Sequence, residues 1–326
     1  MVMIDYHTHH VRCGHASGTL EEYVRRGIEI GLTQLGQSLG NIKLSRFKSG
    51  EIYCLYEESI RNCDVFLVQT FSHPINEHLV ELLVMMDAAK RASAKTVNIV
   101  LPYYGYSRQE RKAAPREPIS AKLVADLLQA AGAHRVVTID LHAPAIQGFF
   151  DIPVDHLTAL DLISDYIRRK DIRNPVVVSP DAGRASAAEK MANVLDAPFA
   201  IMIKKRPSHN ESVITHLIGE VAGYTPIIIE DLIDTGTTIV NVVEGLKERG
   251  AEDAYICATH PVFSGPAVQR LDHPNIREVV ITDSIAVDEG HPDKFKIITV
   301  APLLSNAIRI ILEGGSISSL FKYGGV

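Results

Sequence analysis

The sequence predicts an α/β protein made of two doubly wound parallel sheets, and three observations lead to this fold class. From about residue 64 onward, short apolar runs of strand length alternate with segments whose apolar residues recur at helical spacing. The runs are apolar on both faces, as in parallel sheets that helices cover on each side. The length of 326 residues fits about two domains at roughly 150 residues each. We therefore expect an N-terminal α/β domain over residues 1–155 and a C-terminal α/β domain over residues 156–326.

Three β-rich runs lie in the first half of the chain: 64–71 (DVFLVQTF), 96–104 (TVNIVLPYY) and 134–141 (HRVVTIDL). Two segments with apolar residues at i, i+3 and i+4 spacing separate them, as expected for helices. The same rhythm returns in the second half, where six runs lie at 175–181, 199–204, 226–231, 254–260, 278–283 and 296–301. Ligands of such sheets bind beyond the carboxyl ends of the strands, so the residues that follow each run are the candidates for chemistry.

The composition argues against several classes of protein. The chain has 33 Lys and Arg against 39 Asp and Glu, a net charge of −6, which argues against a general surface for nucleic acid or another polyanion. Its 4 cysteines form no CxxC pair, which argues against a disulfide scaffold or a zinc ribbon. No apolar run approaches the roughly 20 residues that a bilayer requires, so we expect a cytoplasmic protein with no membrane partner.

The segment IIIEDLIDTGTTIVNVVEGLKERG predicts a strand, a polar turn and an amphipathic helix. The turn places hydroxyls and backbone N–H groups at a helix N-terminus, which is a ready anion site, and its residues are Thr235, Gly236, Thr237 and Thr238. Three acids crowd the same turn: Glu230, Asp231 and Asp234. They fit a sugar phosphate, because they could hold ribose hydroxyls or a divalent cation beside the phosphate. The alternative is ordinary helix capping by Asp234 or Thr235, which requires only one such residue.

At this turn the sequence resembles a known family. IIIEDLIDTGTT is similar to the phosphoribosyl-binding loop of the type I phosphoribosyltransferase fold, and the chain from about Gln37 onward resembles the ribose-phosphate diphosphokinases, the phosphoribosyl pyrophosphate (PRPP) synthetases. The motifs that carry the resemblance include RFKSGE, EESIRNCDVFLVQ, LPYYGYSRQERK, REPISAKLVADLL, DLHAPAIQGFFDIPVDHL, VVVSPDAGRASAAEKMA and FSGPA. The resemblance implies two domains of that fold and transfer of the pyrophosphoryl group of ATP to the anomeric hydroxyl of ribose 5-phosphate, with release of AMP. It also implies a homo-oligomer, a hexamer of dimers.

In the stretch FAIMIKKRPSHNES, three cations follow the apolar residues of a predicted strand: Lys204, Lys205 and Arg206. Cations that leave a buried strand for a polar, Pro-containing segment fit a mobile loop that closes over phosphates, where Lys supplies a point charge and Arg a bidentate fork. The alternative is a solvated strand end. The resemblance implies that Lys204 and Arg206 are catalytic and that Arg206 also contacts ribose 5-phosphate, while Lys205 stands where the family usually has Arg.

Two residues that follow predicted strands are candidates for a metal site, His142 in TIDLHAPAIQGFF and Asp181 in VVVSPDAG. An imidazole and a carboxylate can share a Mg²⁺ that bridges ATP phosphates, with water completing the octahedron. The resemblance implies this Mg²⁺ pair. From the residues alone, a His after a strand is more often a structural hydrogen-bonding partner.

The resemblance also implies an ATP site, whose residues are Phe47, Ser49, Gly50, Glu51, Arg108 and Gln109. Phe47 could stack on adenine and Glu51 could accept from its amino group, both in the site of a neighbouring subunit. Arg108 and Gln109 would form a pair of donors after the strand TVNIVLPYY. Taken singly, Phe47 also fits a partly buried strand residue and Arg108 a surface ion pair. Ser49 replaces the usual Asp or Asn.

The phosphate turn departs from the family at one position. Thr237 stands where the family has a second Gly, and a β-branched residue penalises both a positive φ and the close approach of a phosphate. We therefore hypothesise that Thr237 lowers the affinity for ribose 5-phosphate without abolishing turnover. Glu230 replaces the usual Asp and adds one methylene.

Residues 1–36 depart from the family altogether and resemble the start of a PHP-type histidinol-phosphate phosphatase. His7, His9 and His15 match metal-ligand positions of that family, but no barrel follows to supply the other ligands, so an independent phosphatase activity is not expected. We expect MIDYH to replace the first strand and TLEEYVRRGIEIGL the first helix of the N-terminal domain. Adventitious Zn²⁺ binding is the alternative.

Two other functions stay open at this point. The first is a non-catalytic regulatory homologue of PRPP synthetase. Thr237 and the unusual N-terminus favour it, and it is opposed by four intact residues, Lys204, Arg206, His142 and Asp181. The second is a phosphoribosyltransferase that consumes PRPP. That enzyme would require a base-binding hood and would have no use for Arg108 and Gln109.

Overall fold

The computed structural model describes residues 2–5, 39–208, 211–288 and 290–323, without the side chains of 2–5, 204–208 and 211–215. Within these ranges the strands are β1 (Val2–Asp5), β2 (Ile42–Arg46), β3 (Ile52–Tyr56), β4 (Asp64–Val68), β5 (Thr96–Leu101), β6 (Arg135–Ile139), β7 (Val154–Leu157), β8 (Pro175–Ser179), β9 (Phe199–Ser208), β10 (Glu211–Ile218), β11 (Thr225–Ile233), β12 (Ala254–Pro261), β13 (Ile276–Thr282) and β14 (Phe295–Ile298). The α-helices are α1 (Ile75–Arg91), α2 (Ser120–Ala131), α3 (Leu160–Arg168), α4 (Ala185–Leu195), α5 (Thr237–Lys247), α6 (Ala267–Leu271) and α7 (Ala301–Leu312).

The strands form two large sheets, and the predicted fold class is confirmed. The first sheet has the order β1-β4-β5-β6-β7 and is parallel throughout. The second has the order β10-β9-β8-β11-β12-β13-β14 and is parallel except for β10, which lies antiparallel to β9 at one edge. Each of the nine predicted runs overlaps one of these strands. Because apolar runs with helices between them can pair only through crossovers, the parallel order follows from the pattern.

Successive side chains of the central strands enter different cores. In β4, Val65 and Leu67 join a core with α1 and α2, whereas Phe66 and Val68 face the second sheet. The core between the sheets also contains Val177 of β8, and residues of α3, α4 and α7 fill the space. Each fully buried side chain of this size contributes about 1.5–3 kcal/mol. The two halves of the chain therefore share a core, and their strand ends are held in a fixed relation.

Strands β2 and β3 form a separate antiparallel hairpin that packs on α1. The Tyr56 hydroxyl donates to Met85 O at 2.9 Å, and Arg46 forms a 2.7 Å ion pair with Glu77. The sequence pattern did not predict this hairpin, because two five-residue strands with mixed polarity give a weak periodic signal. The tip of the hairpin, residues 47–51, is exposed.

Two expectations concern the start of the chain and the domain boundary: that MIDYH replaces the first strand, and that the first domain ends at residue 155. The backbone of β1 lies parallel to β4 at the edge of the first sheet, the place that we expected MIDYH to take. The helix expected from TLEEYVRRGIEIGL and the cluster of His7, His9 and His15 lie outside the described residues. Strand β7 continues to Leu157, two residues past the expected boundary at 155, so the division into domains stays a proposal.

Over the described part of the chain, no helix combines the length and the apolar character that a membrane span requires.

A buried acid at the start of α7 gives a pH-dependent prediction. Asp283 Oδ1 accepts from Val300 N at 2.7 Å, and burial raises the pKa of this carboxyl to about 6. Because the folded state binds the proton more tightly than the unfolded chain, stability is lost as the pH rises from about 4, the pKa of the unfolded chain, to about 6, the folded pKa. We expect Asp283→Asn to be more stable than the parent chain at pH 8 by about 3 kcal/mol, since one pKa unit corresponds to about 1.4 kcal/mol. The advantage should vanish near pH 4.

The measurement is the urea midpoint at pH 8 and pH 4.5. Asp253→Asn is the matched control, because Asp253 is a surface acid that pairs with Lys247. Equal midpoints for Asp283→Asn and the parent chain at pH 8 would contradict the assignment.

A candidate active site where the two sheets meet

The carboxyl ends of the two sheets meet along a polar surface, which we call the seam and define by Thr70, Asp140, Thr259, His260 and Ser284. Thr70 Oγ1 donates to Ser284 O at 2.8 Å, and Thr259 Oγ1 donates to Asp140 Oδ2 at 2.6 Å. Each of these bonds joins a residue at the end of a first-sheet strand to one at the end of a second-sheet strand. Since ligands of parallel sheets bind at these ends, the seam is where both halves could act on one ligand.

His260 is the most buried titratable group of the seam, with 1% of its surface exposed. Its Nε2 lies 3.0 Å from Ile139 O and 3.2 Å from Asp140 O, and its Nδ1 lies 2.9 Å from Ser284 Oγ. Carbonyl oxygens only accept, so the proton is assigned to Nε2 and Nδ1 accepts from Ser284. Burial lowers the pKa of His260. A neutral imidazole therefore links the first sheet to the second.

His142 follows β6 and turns toward the second sheet. The backbone leaves the strand direction at Asp140, which has a φ of 38°, in the left-handed region that few residues other than Gly adopt. His142 Nδ1 lies 2.7 Å from Asp231 Oδ2, so Nδ1 carries the proton of this hydrogen bond. In a neutral imidazole the lone pair is then on Nε2. The strained turn thus places an oriented imidazole against the second sheet.

Arg184 completes this cluster from the turn after β8. Its Nη2 donates to His142 O at 2.8 Å and lies 2.9 Å from Asp231 Oδ2, while its Nε lies 3.9 Å from Glu230 Oε2. The Asp231 side chain is only 4% exposed. Burial by itself would raise the pKa of Asp231, but the hydrogen bond from His142 and the charge of Arg184 outweigh burial and lower it. Asp231 is therefore a buried carboxylate with two donors. The cluster borders a cavity of about 180 Å³ between the sheets.

A second ion pair crosses the seam at Asp234. Arg108 Nη1 lies 2.6 Å from Asp234 Oδ2. Burial tends to raise the pKa of Asp234, but hydrogen bonds from Ser264 and Arg108 lower it overall. Gln109 turns the other way, because its Oε1 accepts from Ser120 Oγ at 2.6 Å. The structure thus brings Arg108 to the phosphate turn and leaves Gln109 at the start of α2.

The phosphate turn lies at the N-terminus of α5 as predicted by the sequence. Gly236 has a φ of 74°, and Thr237 is the first residue of the helix. The backbone penalty that we expected at Thr237 does not arise, because the positive φ falls one residue earlier, on glycine. Thr235, Thr237 and Thr238 are exposed, and Arg270 Nη1 donates to Thr235 O at 2.9 Å. The N-terminal N–H groups of the helix, the exposed hydroxyls and the flanking Arg270 are the features of an anion site.

Lys204, Lys205 and Arg206 lie on β9, not in a loop. The register of β9 with β8 ends at Ile201, opposite Ser179, while β9 continues to Ser208 and pairs there with β10. Lys204 is three residues past the last β8 pair, a distance of about 10 Å at 3.3 Å per residue. We call β9 beyond Ile201, together with β10, the arm. The backbone of the arm carries the three cations past the carboxyl edge of the sheet. Their side chains lie outside the description.

Asp181 follows β8 on the same turn as Arg184. Its Oδ1 accepts from Gly183 N at 2.9 Å, which caps the short turn Ala182–Arg184. No contact between Asp181 and His142 is found among the described residues, although Arg184 joins their two segments. Nor does the described part of the chain contain a group of three His, Cys, Asp or Glu side chains able to hold a metal ion. A metal at this edge would therefore depend on ligands beyond the protein.

The remaining candidates lie at the tip of the β2–β3 hairpin. Phe47 is 55% exposed and meets Tyr53 edge to face, with ring centroids 5.7 Å apart. Ser49 Oγ donates to Glu51 Oε2 at 2.6 Å, and Gly50 has a φ of 94°, which only glycine adopts readily. In the described residues, no hydrogen bond or ion pair links this tip to Arg108 or Gln109 of the same chain.

Sequence reasoning missed two residues of this site, Arg184 and His260. Both could have been found by searching the residues at the carboxyl ends of the predicted strands. Arg184 comes after β8, and His260 lies at the end of β12. Their partners were beyond reach, because Asp231 and Ile139 belong to segments far away in the sequence.

Comparison with known proteins gives a consistent result. Residues 14–132 match a family described as the N-terminal domain of ribose phosphate pyrophosphokinase, and residues 179–322 match the phosphoribosyl synthetase-associated domain. The ribose-phosphate pyrophosphokinase of Bacillus cereus is 53% identical over 289 residues, covering 88% of this chain and 91% of that protein. The enzyme of the same name from Corynebacterium ammoniagenes is 52% identical over 289 residues, with the same coverage. The crystal structure of phosphoribosylpyrophosphate synthetase from Mycobacterium smegmatis has a TM-score of 0.85 and 40% identity, covering 96% of this chain and 99% of that one.

The position of His260 gives a stability prediction. We expect His260→Ala to lower the free energy of unfolding by about 3 kcal/mol, because it leaves a cavity and removes the donor to two buried carbonyls. The neutral imidazole also predicts that the parent chain loses stability as the pH falls below about 6.5, the unfolded value, and that this loss is smaller in the variant.

Urea unfolding at pH 8 and pH 5.5 measures both effects. His216→Ala is the control, because His216 is exposed on β10, and it should change stability by less than about 0.5 kcal/mol. An equal loss for the two variants would remove His260 from its role at the seam.

Proposed function

The chain belongs to the ribose-phosphate pyrophosphokinase family, and we propose that the seam between its two sheets is the active site. The enzyme transfers the pyrophosphoryl group of ATP to the anomeric hydroxyl of ribose 5-phosphate, which gives PRPP and AMP. The observation that carries the proposed location is a pair of contacts across the seam, His142 with Asp231 and Arg108 with Asp234. They put His142, implied in metal binding, and Arg108, implied in ATP binding, beside residues implied in ribose 5-phosphate binding.

The reaction sets clear demands on the site. The anomeric oxygen forms a bond to the β-phosphorus of ATP, the bond from that phosphorus to the bridging oxygen breaks, and AMP departs with the bridging oxygen. Such an in-line displacement depends on alignment and charge neutralisation more than on covalent catalysis. The protein must therefore hold two anionic substrates in line and supply positive charge around the transferred group.

We assign ribose 5-phosphate to the phosphate turn. Its 5-phosphate would lie on the backbone N–H groups of Thr235–Thr238 and on the hydroxyls of Thr235 and Thr238, at the positive end of α5. The carboxylates of Glu230 and Asp234 would accept from the ribose hydroxyls. Asp231 already contacts His142 and Arg184, so its main role would be to orient His142 at the edge of the sheet where the phosphate turn lies.

We assign ATP to Arg108, Gln109 and the hairpin tip of a neighbouring subunit. Phe47 is a large apolar side chain exposed at the end of a protruding hairpin, where a second chain could bring adenine against it. Ser49, Gly50 and Glu51 would form the rest of that contact. The site would then be completed only in a homo-oligomer, whose order we propose as a hexamer of dimers from the resemblance.

The donor set fits a magnesium ion. His142 Nδ1 is tied to Asp231, which leaves Nε2 as the ligand atom, and such a carboxylate–imidazole arrangement orients many metal-binding histidines. Asp181 on the adjacent turn would be the second ligand. Mg²⁺ usually takes one or two protein ligands and completes its shell with phosphates and water, so the lack of a third ligand in the described residues is in keeping with it. When bound, the ion would neutralise charge on the ATP phosphates.

We assign the charge that develops during transfer to Lys204 and Arg206. Their strand extends past the edge where Asp181 and the phosphate turn lie, so the arm can present both side chains to phosphates from outside the sheet. Lysine would act as a point charge and arginine as a bidentate donor.

We also propose a cytoplasmic setting. ATP and ribose 5-phosphate are the substrates that the family name implies, and the cysteines in the described part of the chain, Cys54, Cys63 and Cys257, are free thiols. Free thiols are typical of reducing compartments.

The first test is the formation of AMP. With ATP, Mg²⁺ and ribose 5-phosphate, we expect AMP that depends on ribose 5-phosphate and that falls by at least about a thousandfold in Lys204→Ala. Lys247→Ala is the matched control, because Lys247 lies at the far end of α5 and pairs with Asp253. AMP can be measured by chromatography.

The result separates the candidate functions. No AMP from the folded parent chain at any substrate concentration would favour the non-catalytic regulatory homologue. Equal activity in Lys204→Ala and Lys247→Ala would instead remove Lys204 from the reaction.

The second test concerns Thr237. Its backbone is helical and unstrained, so any effect on ribose 5-phosphate must come from its exposed β-branched side chain at the turn. We expect Thr237→Gly to lower KM for ribose 5-phosphate about threefold to tenfold, about 1 kcal/mol, while kcat changes little. Thr238→Ser, which keeps a hydroxyl, controls for general effects on the turn. Unchanged kinetic constants in Thr237→Gly would end the hypothesis.

A further inference from the structure

Arg184 is placed as a cation inside the acidic part of the site. It comes from the turn after β8, yet its guanidinium reaches Asp231 at 2.9 Å and lies 3.9 Å from Glu230, both at the end of β11. The same Nη2 donates to His142 O at 2.8 Å. Its side chain is only 18% exposed. The guanidinium is therefore a largely desolvated charge that touches both the ribose 5-phosphate side and the metal side of the site.

The acids of the turn each have a cation from the protein. Arg184 serves Asp231 and Glu230, and Arg108 serves Asp234 at 2.6 Å. Charges this deeply buried are stable only when they are paired and hydrogen-bonded. A divalent ion bound to Glu230 or Asp231 would have to displace Arg184 or share its carboxylates at close range, where like charges repel strongly. His142 Nδ1 is tied to Asp231, so the ring nitrogen of His142 that could bind a metal is Nε2.

We propose that Arg184 is a built-in counter-ion that competes with divalent cations for Glu230 and Asp231 and so confines the metal to the His142 side. This inference rests on the proposed function, because it concerns how that site divides its positive charge between protein and metal. Arg184 is thus a positioning and specificity residue: it holds His142 and Asp231 together and sets how tightly the site takes a cation.

A purely structural role for Arg184 predicts a different result. If Arg184 only fastened its turn to His142 O, then its removal would loosen His142 and weaken cation binding. If Arg184 competes as a charge, its removal strengthens cation binding, because the positive charge beside Glu230 and Asp231 is lost. The sign of the change separates the two roles.

The experiment is a Mn²⁺ titration of the full chain without nucleotide or sugar phosphate, followed by the EPR signal of free Mn²⁺. We expect Arg184→Ala to bind Mn²⁺ roughly tenfold more tightly than the parent chain at low salt, or to bind one more ion per chain. Arg184→Lys keeps the charge and should behave like the parent. Arg249→Ala is the matched control, because Arg249 lies just after the end of α5, away from the acids, and donates to Gly245 O.

Two additional variants keep the test decisive. Arg184→Gln removes the charge but can still donate to His142 O, so it should reproduce the gain even if Arg184→Ala folds poorly. In a His142→Ala background the gain should persist, because the new ion would lie on the acids. Unchanged or weaker Mn²⁺ binding by folded Arg184→Gln, or a gain that disappears with His142, would overturn the proposal. The AMP assay uses the parent chain and Lys204→Ala and does not depend on the Arg184 variants. Failure of this inference is therefore distinct from failure of the proposed function.

Discussion

The buried carboxylate of Asp231 is the constraint on which the site depends. Placed at the end of β11 with 4% of its side chain exposed, it requires partners, and its own sheet does not supply both of them. His142 comes from the first sheet and Arg184 from the turn after β8. Because an unpaired charge at this depth would be strongly destabilising, the two halves of the chain must dock in one relation for the protein to fold. The geometry of the site and the docking of the sheets are therefore a single requirement.

The other seam contacts act in the same direction. His260 donates to carbonyls at the end of β6, two residues before His142, and its ring lies 4.9 Å from that of Tyr103. A neutral imidazole can join the halves without adding a charge to a region that already contains several. The apolar core between the sheets adds most of the burial but is not directional, whereas these hydrogen bonds fix the register of the two strand edges.

More of the fold than of the site could be predicted from the sequence. Runs such as PIIIED are apolar on both faces, so their burial and their parallel order could be foreseen, as could the polar turns after them. The β9–β10 arm could not, because a strand that leaves its sheet depends on a partner strand and not on its own pattern; we expected a loop there. Arg184 and His260 were not predicted, because their roles depend on hydrogen bonds and ion pairs with residues far away in the sequence. The family resemblance led us to expect a positive φ at residue 237, but Gly236 has it. The start of the helix at Thr237 decides which residue takes this conformation.

The charges of the site divide into two sets with different tasks. Arg184 and Arg108 are bound to carboxylates in the ligand-free protein, so their charge is largely used in holding the site together. The transfer of a pyrophosphoryl group adds several negative charges, which these two arginines cannot fully neutralise without giving up Asp231 and Asp234. Further positive charge has to come from groups that are not committed to the fold. In the proposed function this is the task of Lys204 and Arg206, because the backbone of their strand past Ile201 pairs with β10 and lies beyond the contacts of the seam. The proposed site thus combines charges that are fixed near Asp231 with charges that a separate strand pair brings to the triphosphate.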